Sequence, residues 1–451
     1  MSHFEEKTID LPCLPGTDPK SHITFEEDGS LIERSVLPGG TRIITQQVPA
    51  TRSVAIACWL PVGSRDETEG HYGATHYLEH LLFKGTKTRT ALQLANAFEE
   101  VGGMSNASTS KDYTNYYARV LSSDLPMAVE TLLDMVTSSV IDPEQMALER
   151  GVILEELAAA EDDPMDVLFE AYSSVAYAGT ALARPVGGTP ETVKAITRDG
   201  IWEHYQRTYR SENLVITAAG DVDHATLCAL VTAGLERGGW ATSGDLTPKA
   251  RRSPDAIPAA QAARLVRSKD IEQAQVAVGT RSLPLGDPDR WAMNVMVSIL
   301  GSGMTSRLFQ EIREKRGLAY TTFAFNHAYT EAGAFGMYAG CKPHNTEEIE
   351  KVMDQVWAEL AENGPTEAEL QRILGHTRGT MALGMEDNFA RMYRLGRSEI
   401  STGNLTPLSE QLEAVAHVDV DDVKNIAARL YEGPRFNVTV QTNRTTSPAT
   451  N

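Results

Sequence analysis

Apolar and polar positions along the chain alternate between two styles. "TRIITQQ" (41–47) and "SVAIACWLPV" (53–62) read as strands, and the second is a nearly continuous apolar run, as in a strand of a covered sheet. "LPMAVETLLDMVTSSVIDPEQMALERGVILEEL" (125–157) has helical spacing, with Asp142 and Pro143 suited to an N-cap and first turn. The same style returns in "TEEIEKVMDQVWAELAENGPTEAELQRILGHTRGT" (346–380), where Thr366 and Glu369 have capping-box spacing. "NLVITAAGDV" (213–222) and "FNVTVQT" (436–442) correspond as closing strands. Glu144 recurs as Glu367 and Asn213 as Asn437, shifts of 223 and 224 positions. This near-constant shift predicts a duplicated domain.

The clearest break in the pattern is "ATSGDLTPKARRSPDAIPAAQ" (241–261), rich in Pro, Ser, Ala and charge. The expected organisation is an N-terminal tail (1–30), a first domain (31–240), this linker, a second domain (262–445) and a C-terminal tail (446–451). "GGMSNASTSKDYTNYYARV" (102–120), between helical stretches, reads as a hairpin and favours an α+β sandwich over a parallel doubly wound sheet. It admits two readings: an exposed edge able to pair with an extended peptide, or a plain hairpin with Tyr113, Tyr116 and Tyr117 in the core.

Composition narrows the class. The 451 residues are 41% hydrophobic and 23% charged, enough for large cores, and a formal charge of −20 argues against a general phosphate-binding role. Four scattered cysteines without C-x-x-C pairing indicate neither disulfides nor a thiolate zinc centre. The acidic, proline-broken start resembles neither a secretory signal nor an import peptide, and no long uninterrupted apolar run occurs. The expectation is a cytoplasmic protein with no nucleic-acid or membrane partner.

The distinctive chemistry is in "HYLEHLLFKGT" (76–86). On a helix His76, Glu79, His80 and Phe83 share one side, while Leu78, Leu81 and Leu82 take the other. Two imidazoles at this spacing are good zinc donors, and a catalytic zinc needs a third protein ligand while keeping one position open. "ALERGVILEELAAAEDD" (147–163) offers Glu149 and Glu156 seven apart, on a face shared with Val152, Ile153 and Ala160; Glu155 and Glu161 point elsewhere. Carboxylates on an apolar face are costly unless a cation neutralises them. Moving the motif by 223 positions lands on "ILGSG" (299–303), which has no ligand, so the fold itself does not require it.

Together, "HYLEHLLFKGT" and "ERGVILEEL" resemble the inverted-zincin peptidases, the pitrilysin, insulin-degrading enzyme and mitochondrial processing peptidase family. The 76 positions between His80 and Glu156 match the processing-peptidase branch, and the likeness spans roughly Leu31 to Thr442. It implies two sandwich domains of the processing-peptidase (LuxS/metallohydrolase-like) type and one zinc per chain on His76, His80 and Glu156. Glu79 would be the general base of a zinc-bound water, and Glu149 a supporting acid. Asn106 and Ala107 would pair with substrate backbone. In "SRLFQEIREKRGLAY" (306–320), Arg313 and Tyr320 match the family's pair that reaches substrate from the other half of the enzyme. A two-domain chain implies two chains around a chamber, a homodimer first and a heterodimer with a related subunit second. The implied activity is zinc-dependent endopeptidase action on unfolded peptides or oligopeptides. The alternatives are a non-catalytic structural subunit of the same fold, a processing peptidase for a dedicated leader, and a metal-dependent hydrolase of non-peptide substrates.

Overall fold

The computed structural model describes residues 4, 6–13, 22–243 and 247–442. The expected C-terminal tail (446–451) lies outside the described residues. The first half contributes β1 (Ile9–Asp10), β2 (Ile23–Glu27), β3 (Ser30–Val36), β4 (Arg42–Gln47), β5 (Ser53–Leu60), β6 (Met104–Thr109), β7 (Thr114–Leu121) and β8 (Val215–Gly220). The second contributes β9 (Ala263–Ser268), β10 (Ala274–Ser282), β11 (Ala319–Ala328), β12 (Gly333–Cys341), β13 (Asn404–Leu405) and β14 (Phe436–Gln441).

The duplication is visible in the topology. One sheet has the order β2-β3-β4-β8-β5-β7-β6 and the other β11-β12-β10-β14-β9. The run β4-β8-β5-β7-β6 thus repeats as β9-β14-β10-β12-β11, with β4–β8 and β9–β14 as the parallel pairs. Strands β2 and β3 extend only the first sheet, and β1 pairs with β13. Residues 1–30 therefore include sheet strands, a correction to their reading as a tail.

Strand β5 shows why its sequence is apolar throughout. Val54, Ile56, Cys58 and Leu60 face a core closed by the Ala74–Leu82, Leu125–Ser138 and His224–Arg237 helices. Ala55, Ala57 and Trp59 face the opposite way, onto Met392, Phe389 and Tyr393. Those residues belong to the Asn388–Arg397 helix of the second half. Reciprocally, Leu168, Ala171 and Tyr172 of the Pro164–Ala176 helix in the first half pack on Ala277, Phe325, Val438 and Val440 of the second sheet. The two helices begin 224 positions apart, at Pro164 and Asn388, so each copy lends the same helix to the other. A boundary at 241–261 therefore does not separate two independent packing units. Helical periodicity reveals an apolar face but not which sheet it covers.

Buried charge reinforces the exchange. Glu399 is fully buried; Arg34 donates to it through Nε and Nη2 at 2.9 and 3.0 Å, Arg42 Nη1 at 3.3 Å and Arg251 Nη2 at 2.7 Å. Arg251 lies within 241–261, where the described residues form no helix or strand, so this linker is pinned rather than loose. Among the described residues no helix is long and apolar enough to cross a membrane.

Candidate metal centre

The first element of the site is the Ala74–Leu82 helix. Tyr77, Leu78, Leu81 and Leu82 are buried, which turns His76, Glu79 and His80 to the other side. Its start is fixed from outside the helix: the Gly73 and Thr75 N–H groups donate to the Glu67 carboxylate at 2.8 and 2.7 Å. Gly73 has φ of 96°, and a Cβ there would meet the Gly187 carbonyl at 2.7 Å, so glycine is required at this approach. The second element is the Pro143–Asp162 helix, whose Asp142 cap accepts from the Glu144 and Gln145 N–H groups at 2.9 and 3.0 Å. Met146, Glu149 and Ile153 are buried against the first half's core, which presents Glu156 two turns beyond Glu149.

These helices bring the metal candidates together. Glu156 Oε2 lies 3.7 Å from His76 Nε2 and 3.4 Å from His80 Nε2. Donor atoms of all three residues fall within 4.8 Å of one another, the one such group among the described residues. A tetrahedral zinc with nitrogen and oxygen ligands at about 2.0–2.2 Å sets neighbouring donors roughly 3.4 Å apart, so the three residues fit the ion. Burial, then the neighbouring His80, holds His76 below the usual imidazole value, leaving it neutral and able to donate a lone pair. Its Nδ1 is buried and has no hydrogen-bond partner among the described residues.

Glu149 stands behind this group. It is 5% exposed, its Oε2 lies 3.1 Å from His80 Nδ1, and Lys84 Nζ donates to its Oε1 at 2.6 Å. A carboxylate on the far nitrogen of a ligating imidazole orients the ring and raises its basicity. Glu156 is the more open of the two acids, with 53% of its side chain exposed, whereas the apolar-face pattern suggested that both are buried. Val152, expected on the same face, is 51% exposed.

Glu79 accepts a short hydrogen bond from the Thr109 hydroxyl on β6. Burial raises its carboxyl above the ordinary range, and the Thr109 bond offsets only part of that. A raised pKa suits a carboxylate that must take up and release a proton near neutrality.

Among the described residues strand β6 pairs only with β7, which leaves its other edge unpaired beside the site. Asn106 and Ala107 lie on it, opposite Tyr117 and Tyr116. The Ala107 N–H donates to Asn106 Oδ1 at 2.8 Å. Tyr113 and Tyr116 are buried, so the hairpin supplies core aromatics and a free edge together.

Arg313 and Tyr320 form a separate group. Arg313 lies in a π-helix, Phe309–Glu314, rather than in a regular α-helix. Its Nη1 donates to the Tyr320 carbonyl at 3.2 Å, and its guanidinium stacks 4.3 Å from the Tyr320 ring centre. Tyr320 is 75% exposed. Among the described residues neither hydrogen-bonds to nor pairs with His76, Glu79, His80 or Glu156 of the same chain.

A cavity of about 670 Å³ opens from His76, Thr109 and Glu156 toward Glu161, Asp166 and Glu170, with Arg267 and Lys269 of the second half on its rim. Glu161, expected to point away from the Glu149 and Glu156 face and to be solvated, has 74% of its side chain exposed; it borders this space and lies 3.8 Å from Lys269 Nζ. Sequence reasoning also missed Glu67 and Thr109. Thr109 shares the period-2 face of Ala107 on β6, a signal that was legible, whereas Glu67 sits in a loop with no periodicity to mark it.

Two family models match the chain, "Insulinase (Peptidase family M16)" over residues 42–190 and "Peptidase M16 inactive domain" over 195–375. An uncharacterized zinc protease of Streptomyces coelicolor is 44% identical over 88% of this chain and 86% of its own length. The chain belongs to peptidase family M16. Another relative, an uncharacterized zinc protease of Bacillus subtilis, is 31% identical over 89% of this chain and 96% of its own length. A protease from Helicobacter pylori superposes with a TM-score of 0.84 at 22% identity, covering 91% of this chain and 99% of that one, which shows that the two share a fold. The "inactive domain" of the M16 models falls on the half whose shifted motif, 299–303, has no metal ligand.

Proposed function

We propose that this chain is a zinc endopeptidase that cleaves extended peptides, with His76, His80 and Glu156 holding one zinc ion. The convergence of these three donors, with unligated Glu79 alongside, carries the reading. Bound zinc would supply Lewis-acid polarisation of the scissile carbonyl and lower the pKa of the attacking water. Glu79 accepts the proton of that water and returns it to the leaving amine, while Thr109 holds its carboxylate in place. Glu149 positions His80. The free edge of β6 takes the substrate backbone at Asn106 and Ala107, which selects unfolded segments over folded ones.

Glu161, Asp166 and Glu170 favour a basic substrate side chain in the adjoining cavity. Arg313 and Tyr320 serve the site of a second copy, Tyr320 donating to the oxyanion and Arg313 binding backbone; their separation from the metal residues of their own chain supports this homodimer. The test is Glu79→Gln. It should lower kcat on a mixed peptide library roughly 100- to 10,000-fold while zinc content is unchanged. A wild type that binds zinc yet cleaves no peptide would favour a structural subunit of the same fold.

A further inference from the structure

The two sheets end differently on the side away from β6 and β11. In the first sheet β4 is covered by β3, which pairs with it antiparallel from Leu31–Gln47 to Val36–Arg42, and β2 follows. In the second sheet the equivalent strand, β9, pairs with β14 and, among the described residues, with no other strand. The first copy thus shows that this edge of the repeat accepts one more strand, and the second copy leaves it unpaired.

The register fixes which groups are unpaired. The Ala263 N–H donates to the Arg435 carbonyl at 2.9 Å, and the Lys269 N–H to the Gln441 carbonyl at 3.0 Å. In a parallel pair, residues bonded to one neighbour alternate with residues whose main-chain groups point the other way. Ala263, Leu265 and Arg267 therefore bond β14, while the N–H and C=O groups of Arg264, Val266 and Ser268 point outward. All three of these residues are exposed.

This edge runs into the candidate site. Arg267, Ser268 and Lys269, at the end of β9, line the same cavity as His76 and Glu156. Charge selects the occupant of the edge. Arg264 is held by Glu350 at 2.9 and 3.1 Å, whereas Arg267 has no ion pair among the described residues. With Arg264, Arg267 and Lys269 along it, the edge repels a second copy of itself and attracts an acidic strand.

We propose that the outer edge of β9 is a second peptide-binding site, which takes an acidic, extended stretch of a substrate as an added strand while another part of the same peptide occupies the cavity beside His76. The identity of the ligand rests on the peptidase reading. Running antiparallel to β9, as β3 does to β4, the stretch starts at the cavity and continues C-terminally away from it. Peptides that engage both sites gain affinity that short ones cannot.

Val266→Pro tests this, because it removes an outward N–H without costing a bond to β14. Fluorescence anisotropy would follow two unstructured peptides binding to the full chain carrying Glu79→Gln, so that neither is cleaved. One is short, with a single arginine; the other is the same peptide extended at its C-terminus by alternating glutamate and threonine. The extension should tighten binding at least about tenfold, the scale of two net main-chain hydrogen bonds. Val266→Pro should remove that gain and leave the affinity for the short peptide unchanged. Arg267→Glu, which keeps the backbone intact, should reverse the preference for a glutamate-rich over a lysine-rich extension. With the short peptide bound, an extension that adds nothing, or a gain that either variant retains in full, would overturn this site alone. Binding of neither peptide would overturn it together with the peptidase reading. A dimer that Val266→Pro dissociates would give the edge to a second copy instead.

Discussion

The chemistry rests on a few side chains whose partners set their properties. Glu149 is buried between His80 and Lys84, so in the proposed centre its carboxylate would orient His80 rather than bind the ion. Glu149→Ala should weaken zinc affinity about 10- to 100-fold, measured by competition with a chromophoric chelator, while kcat at saturating zinc changes far less. Glu79 differs in kind: its carboxylate accepts from the Thr109 hydroxyl, and burial raises its pKa, so its loss should appear in turnover rather than in metal content. The positions of both residues were legible, because the histidine pair and the seven-residue acid spacing mark helix faces directly, whereas their separate roles were implied only by the resemblance to the inverted-zincin peptidases. The difference in exposure between Glu149 and Glu156 was not, since it depends on how the second helix tilts over the first.

At the scale of elements, caps tie the duplicated helices to their surroundings. Glu369 closes the capping box of the Glu367–Gly384 helix and accepts from Arg307 at 2.9 and 3.0 Å. Burial alone would raise its carboxyl, but the Arg307 and Thr366 hydrogen bonds outweigh burial and hold it at about 2. A folded pKa below the unfolded one, about 4.5, means that this contribution is present above that pH and is lost as pH falls through about 2. Urea unfolding midpoints should therefore drop less between neutral pH and pH about 3 in Glu369→Gln than in wild type. An equal drop would deny Glu369 this role. The Thr366–Glu369 box was readable from spacing, as was the doubly covered β5. The helix exchange was not: "PMDVLFEAYSSVA" and "NFARMYRLGR" each show an apolar face, but only tertiary packing assigns that face to the other copy's sheet. The π-helix under Arg313 was likewise hidden, because it changes hydrogen-bond register without changing composition.

For the whole molecule, the exchanged helices make the two halves one cooperative unit, and Glu399 is the most exposed weakness of that arrangement in energetic terms. Three arginines converge on its buried carboxylate from β3, β4 and the 241–261 segment. Glu399→Ala leaves those guanidinium groups uncompensated and should cost about 3–5 kcal/mol in a single unfolding transition followed by urea denaturation. Separate loss of one half would contradict the coupling. The candidate metal residues sit entirely within the first half, yet Arg267 and Lys269 of the second line the cavity beside them, so both halves shape this space. The most direct test of the central claim is an anomalous difference map at the zinc absorption edge, from crystals of the full chain grown with zinc. A peak within about 2.2 Å of His76 Nε2, His80 Nε2 and a Glu156 oxygen is expected; its absence there, with the Glu156 carboxylate turned away from both imidazoles, would contradict the assignment.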